Sequence, residues 1–231
     1  MSDRVAPLVL PFLPGRAAAN IRRAPRWLLS LTILLCAQIA IEVIAHPVMV
    51  EQTVTHLPPT ATPIERDVVR DELDTALASD LSMVPLKEIA ARAAEALVLG
   101  IIFGAITASP RPRFTQMFTL CLGLSGIGVL EKAAEIAFLT LTHQHHGLPA
   151  FPWSALAIVR GGQFSYAAGL LLTTINLFTL WYVGALSWAL AVLCNISKAQ
   201  AVLIAFVFRA ATAGCAIALL HLLRNAYAFT F

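Results

Sequence analysis

Five apolar runs, each close to or beyond the length needed to cross a bilayer, dominate this chain, and the 96 residues after Glu135 contain no acid at all. A helix needs about 20 apolar residues to span a ~30 Å hydrocarbon core. The runs lie at about 27–45, 86–108, 114–142, 164–195 and 199–223. With 58% hydrophobic and 13% charged residues, the chain cannot cover its apolar surface with charge. Typical soluble domains stand at roughly 45–50% and 25%. A soluble single domain, a disordered chain and a disulfide-stapled secreted fold are therefore excluded. The expectation is an all-α integral membrane bundle of five transmembrane helices with one external amphipathic helix.

The segments between the runs differ in character. Residues 1–26 are basic (Arg4, Arg16, Arg22, Arg23, Arg26) and proline-punctuated. Residues 46–85 form a long polar connection. Within it Thr62-Pro63-Ile64-Glu65 has the form of a capping box, with threonine at N-cap, proline at N1 and glutamate at N3. Ile64, Val68, Leu73 and Leu77 follow at helical spacing, and Glu65, Asp67, Asp71, Glu72 and Asp74 form the acidic opposite side. Anionic lipid surfaces prefer Lys and Arg, so this acidic face suits a protein partner better than a headgroup layer. The expected helix is external, begins at Thr62 and docks through its apolar side.

Orientation follows from basic residues near the ends of the spans. With the N-terminus inside, the inner segments hold the five N-terminal arginines, Arg111, Arg113 and Lys198, against Arg66, Arg70, Arg160 and Arg224 outside. The expected topology has residues 1–26 cytoplasmic, the acidic connection outside and the 224–231 tail outside. The basic residues are scattered at span ends rather than gathered on one surface, which argues against nucleic-acid binding.

Two stretches resemble a known family. Ala24-Pro25-Arg26-Trp27-Leu28-Leu29 enters the first run, and Asn176-Leu177-Phe178-Thr179-Leu180-Trp181 is followed by Ser197-Lys198-Ala199. Both are similar to bacterial Yip1-family membrane proteins, with Trp27, Asn176, Phe178, Trp181 and Lys198 as the matching positions. The resemblance implies a non-enzymatic, five-span protein of the bacterial plasma membrane, without a cofactor.

Other patterns carry competing readings. Gly123-Leu124-Ser125-Gly126 has the GxSG form of intramembrane serine proteases, with His221 as a conceivable base, but glycine and serine also mark close helix packing. His143, His145 and His146 could approach a metal with His46 or His56, or simply solvate a loop end. Gly100 and Gly104 form a GxxxG for packing within the chain or between copies. Cys36, Cys121, Cys194 and Cys215 lack metal spacing and sit in apolar runs as packing residues.

The charges inside apolar runs are the most informative residues: Glu42, Glu95, Glu131, Lys132, Glu135 and Arg209. Each costs about 2.5–3.5 kcal/mol at a helix centre on insertion scales. Lys132 and Glu135 are spaced to pair along one helix. Arg209 has no acid on its own run or the fourth, and a depth count makes Glu95 its expected partner and Glu42 the next. These charges either fix packing or line a pathway. Two functions follow: a scaffold or accessory subunit that presents the acidic helix to a protein partner, and a small transporter or channel component that uses the charges. A membrane hydrolase is the distant third, and self-association is open.

Overall fold

The computed structural model describes residues 7–23, 25, 27–55, 62–109, 112–142, 151–159, 168 and 172–228. The fold is all-α. Its helices are α1 (Pro14–Arg23), α2 (Leu28–Thr55), α3 (Pro63–Ile106), α4 (Phe114–Thr142), the single turn α5 (Ala155–Ile158), α6 (Leu177–Cys194) and α7 (Lys198–Ala228). Five of them, α2, α3, α4, α6 and α7, are long and apolar enough to cross a membrane. Side chains such as Ile101, Leu180, Trp188 and Phe206 stand more than 60% exposed on the outside of the bundle. In water that surface would aggregate; against lipid it is the expected exterior. This is a multi-pass membrane protein.

α4 is the central post. Its apolar window is 56% buried, against 17–39% in the other four spans. Met117, Leu120, Cys121, Leu122, Leu124 and Ile127 meet Leu99 and Phe103 of α3, Leu186 and Leu190 of α6, and Leu31 and Leu34 of α2 in one core. The α6–α7 connection is short because both ends are capped. Asn195 takes a left-handed conformation (φ 53°, ψ 44°) at the end of α6. Ser197 Oγ then accepts from Gln200 N at 3.3 Å while Gln200 Oε1 accepts from Ser197 N at 3.3 Å.

The N-terminal segment, expected only to be basic and cytoplasmic, is packed on the bundle: residues 7–23 run beside α4 and α6. Pro14 opens α1 where a missing N–H costs nothing, and Arg22 and Arg23 favour its C-terminal dipole. Ala17, Ala18 and Ile21 are buried while Arg16, Arg22 and Arg23 stay exposed. Trp181 Nε1 donates to the Pro11 carbonyl at 2.8 Å, and Gln116 Nε2 donates to the Arg22 carbonyl at 3.2 Å. The segment thus runs antiparallel to α4. Leu8–Pro11 and the small Ala17-Ala18 pair carry the packing, while Phe12 and Leu13 stay exposed.

Its closest approach explains the GxSG pattern. A Cβ on Gly123 would stand 2.6 Å from the Pro7 carbonyl oxygen, and one on Gly126 would touch Pro11 at 3.6 Å. Ser125 Oγ donates to the Leu122 carbonyl at 2.7 Å. The motif seats the N-terminal segment. The GxxxG pattern has no such role at Gly100, where an added Cβ would meet nothing within 4 Å. His221 and Arg224 have side chains outside the described residues, as do all atoms of His56, Arg111, His143, His145, His146 and Arg160.

Several element boundaries also differ. The first span does not end near Ala45 but continues through Pro47 to Thr55, and the acidic helix and second span are one 44-residue helix containing Pro85. At 1.5 Å per residue α3 is about 66 Å long, roughly twice the hydrocarbon thickness. Each proline removes one helical hydrogen bond without ending its helix, a defect that membrane helices tolerate when neighbours support them. The ends of α2 and α3 form a projecting antiparallel hairpin. The helix does dock, but only through part of its apolar side. Leu73 and Leu77 are half-buried opposite Met49 of α2, whereas Ile64 is 76% and Val68 50% exposed. The described start of the fourth span is Leu177, with residues 172–174 helical before it, and α7 runs past Leu223 to Ala228.

The capping box stands as read. Glu65 N donates to Thr62 Oγ1 at 3.3 Å, and Thr62 N and Oγ1 donate to Glu65 Oε2 at 2.7 and 3.1 Å. Those bonds hold the Glu65 carboxyl below the ordinary carboxylate range at the projecting tip, outside the membrane. Its stabilisation is therefore present above the unfolded pKa and fades as pH falls through the lowered value. Acidification should increase protease cutting near Thr62 in the wild type, and Glu65→Gln should flatten that pH response.

A second test concerns α4. Gly123→Ala should displace residues 7–10 and destabilise the protein by about 1–3 kcal/mol, the range for overpacking. Gly128→Ala, where a Cβ meets nothing within 4 Å, should not. Thermal unfolding in one detergent compares them, and equal stability of the two variants would contradict the packing.

Candidate functional site: a charged cavity between the spans

Helical spacing brings polar residues to one side of each span. On α2, Gln38, Glu42 and His46 recur every four residues; on α3, Glu88, Arg92 and Glu95 follow at i, i+4 and i+7. Glu131, Lys132 and Glu135 sit in the second half of α4, and Asn176, Thr179 and Tyr182 at the start of α6. Arg209 on α7 completes the set. The stripes converge on a cavity of about 280 Å³ whose wall includes Glu88, Arg92, Glu95, Glu131, Lys132 and Arg209, three acids and three bases.

The charges are paired differently from the expected scheme. Arg92 lies between two acids of its own helix: its Nε stands 2.9 Å from a Glu88 oxygen, an ion pair by distance though not an aligned hydrogen bond, and Nη1 donates to Glu95 Oε2 at 2.5 Å. Glu95 is therefore occupied by Arg92, not by Arg209. The i+3 neighbour needs no second helix at the right depth, so it wins. Lys132 reaches across to Glu42 of α2 instead of along α4 to Glu135. Both members of that pair remain partly exposed. Glu131 accepts from Asn176 Nδ2 at 2.5 Å.

Arg209 is left with weaker company. Its Nη2 donates to Thr179 Oγ1 at 3.4 Å, and its guanidinium carbon lies 5.5 Å from the centre of the Tyr182 ring. The separation favours a cation–π contact. Nε of Arg209 is buried and has no hydrogen-bond acceptor among the described residues. A buried donor left unsatisfied typically costs about 1–3 kcal/mol. Arg209 and Glu95 nevertheless face the same cavity, so the expected depth match holds although the expected bond does not.

Asn176 ties the site to the aromatic turn. It caps α6, its side-chain oxygen accepting from Thr179 N at 2.8 Å. Its backbone forms a bridge with Ser154, flanked by Ala155 N donating to Ile175 O at 2.8 Å and Leu177 N donating to Trp153 O at 3.1 Å. Phe178 packs edge-on to Trp153 and tilted to Trp181, and Trp27 packs edge-on to Phe118 at the opposite end of the bundle. Lys198 is exposed at the start of α7. Of the positions that carried the family resemblance, Asn176 and Phe178 border the cavities, Trp181 anchors residues 7–13, and Trp27 and Lys198 lie apart from both.

Two further cavities adjoin the first. One of about 260 Å³ under the projecting hairpin shares Gln38 and Glu88 with it and includes Glu42, His46, Asp80 and Lys87. Another of about 310 Å³ beside the aromatic turn shares Glu131 and Arg209. At the hairpin, His46 Nε2 meets Asp74 at 2.5 Å and Lys87 donates to Asp80 at 2.7 Å. Asp67 lies 3.6 Å from Arg70, and Glu65, Asp67, Asp71, Glu72 and Asp74 stay exposed on the acidic side. Arg92, Glu88, Thr179, Tyr182 and His46 were not among the expected network. The four-residue spacing of Gln38, Glu42 and His46 was the available signal for the α2 stripe. No known protein family, curated protein or solved structure matches the chain.

The Glu42–Lys132 bond generates a direct test. Glu42→Gln, Lys132→Gln and the double variant should show a coupling between the ~0–1 kcal/mol of exposed pairs and the ~3–5 kcal/mol lost when one member of a buried pair is removed. Additive single effects on unfolding would contradict the pairing.

Proposed function

We propose that this chain is a non-catalytic membrane protein that admits an ion or small polar solute to a charge-lined vestibule, as a small transporter or channel component. One observation carries the reading: three adjoining cavities share Gln38 and Glu88 on one side and Glu131 and Arg209 on the other. Polar groups thus continue from the hairpin to the start of α6. Charges kept only for packing need partners, not continuous space around them. Intramembrane ionisable residues that face such space are characteristic of ion and solute routes.

A scaffold or accessory role, as the Yip1-like resemblance implies, is the second reading. It is favoured by the projecting α2–α3 hairpin, whose acidic face is exposed and charged for a protein partner. The proposed setting is a bacterial plasma membrane with the N-terminus inside and the hairpin outside.

Purified protein in liposomes tests the first reading. Imposed proton, sodium and potassium gradients should decay faster than in empty vesicles for at least one ion. Glu95→Gln should slow that decay roughly tenfold, equivalent to ~1.4 kcal/mol on the barrier. No flux of any of the three, with a stoichiometric protein partner retained in mild detergent through the acidic face, would favour the scaffold.

A further inference from the structure

The 310 Å³ cavity beside the aromatic turn is chemically divided. On one side stand Trp153 and the guanidinium of Arg209, which has no ion pair among the described residues. They come from different elements, α7 and the turn before α5, yet both line this one space. A guanidinium on a cavity wall favours anionic oxygens from a guest.

Glu135 lines the same cavity and has no hydrogen bond or ion pair among the described residues. Glu131 is also there, already engaged by Asn176. Beside them Phe151 and Trp153 stack at 5.3 Å with their planes 9° apart. A free carboxylate next to aromatic faces suits an ammonium group. A plain anion would satisfy Arg209 but meet the repulsion of Glu135, and a plain cation the reverse.

We propose that this cavity binds a small zwitterion, its anionic oxygens toward the Arg209 guanidinium and its ammonium toward Glu135. The volume lies at the lower end of the ~300–1,000 Å³ typical of ligand sites, which suits an aminophosphate or amino acid rather than a large metabolite. The shared chemistry is a primary ammonium a few bonds from an anionic group. It can arrive as a free solute or as the headgroup of an ethanolamine phospholipid. The proposal rests on the vestibule reading only in taking this cavity as its ligand-bearing end.

The test uses the full chain in phosphatidylglycerol nanodiscs, with thermal unfolding as the readout. O-phosphoethanolamine should raise the melting temperature saturably, while inorganic phosphate or ethanolamine alone at the same concentration should not. A second arm replaces part of the phosphatidylglycerol by phosphatidylethanolamine, and a rise there without a response to the soluble compound assigns the lipid as the source. Arg209→Lys keeps the positive charge and removes the guanidinium fork, so it should weaken the response several-fold even where Arg209→Gln fails to fold. Glu135→Gln should do the same from the ammonium side. Equal stabilisation by phosphate alone, or a response untouched by Glu135→Gln, would overturn the zwitterion in favour of a simple anion. No response to either source would overturn the site. Ion flux lost in Glu95→Gln but indifferent to phosphoethanolamine would leave the vestibule standing without this ligand; binding without flux would do the opposite.

Discussion

A charge in hydrocarbon must be given either a partner or a polar space, and the arrangement of this bundle follows from how each buried charge meets that demand. Arg92 is met on its own helix by Glu88 and Glu95. Lys132 is met by Glu42 from α2, and Glu131 by Asn176 from α6. These bonds tie α2 to α4 and α4 to α6 in one half of the molecule. They hold spans apart around cavities that apolar side chains would otherwise close.

The other half is dry. There α4 meets α2, α3 and α6 through leucines and phenylalanines, and residues 7–23 fill the remaining groove. Gly123 allows the Pro7 carbonyl to approach closely, and the Trp181 indole N–H donates to the Pro11 carbonyl, which supplies one irregular carbonyl with a partner.

Asn176 links these features. It caps α6, bonds Glu131 and pairs its backbone with Ser154. One residue thereby fixes where α6 begins, where a buried carboxylate points and where the aromatic turn sits. Arg209, opposite, has only a hydroxyl at 3.4 Å and a ring face, and its Nε has no acceptor among the described residues.

The spans, the capping box at Thr62 and Glu65, and the list of charges at membrane depth were legible in the chain, because each depends on local composition and helical spacing. Depth counting brought Arg209 and Glu95 to one cavity because helices rise by a constant amount per residue. It could not say which partner each charge takes. That depends on helix rotation and on competitors such as Arg92 three residues away, whose bond to Glu95 no depth count weighs. Pro47 and Pro85 show the same dependence on context: a proline tends to end an isolated helix, yet both lie inside continuous helices here. The packing of residues 7–23 was the least legible, since five arginines make the first 26 residues basic while a groove on α4 exists only once the bundle has formed. Local periodicity and hydropathy determined that this protein crosses a membrane as helices; only tertiary packing, which sets the rotation of each helix, decided which charges meet and where polar space remains.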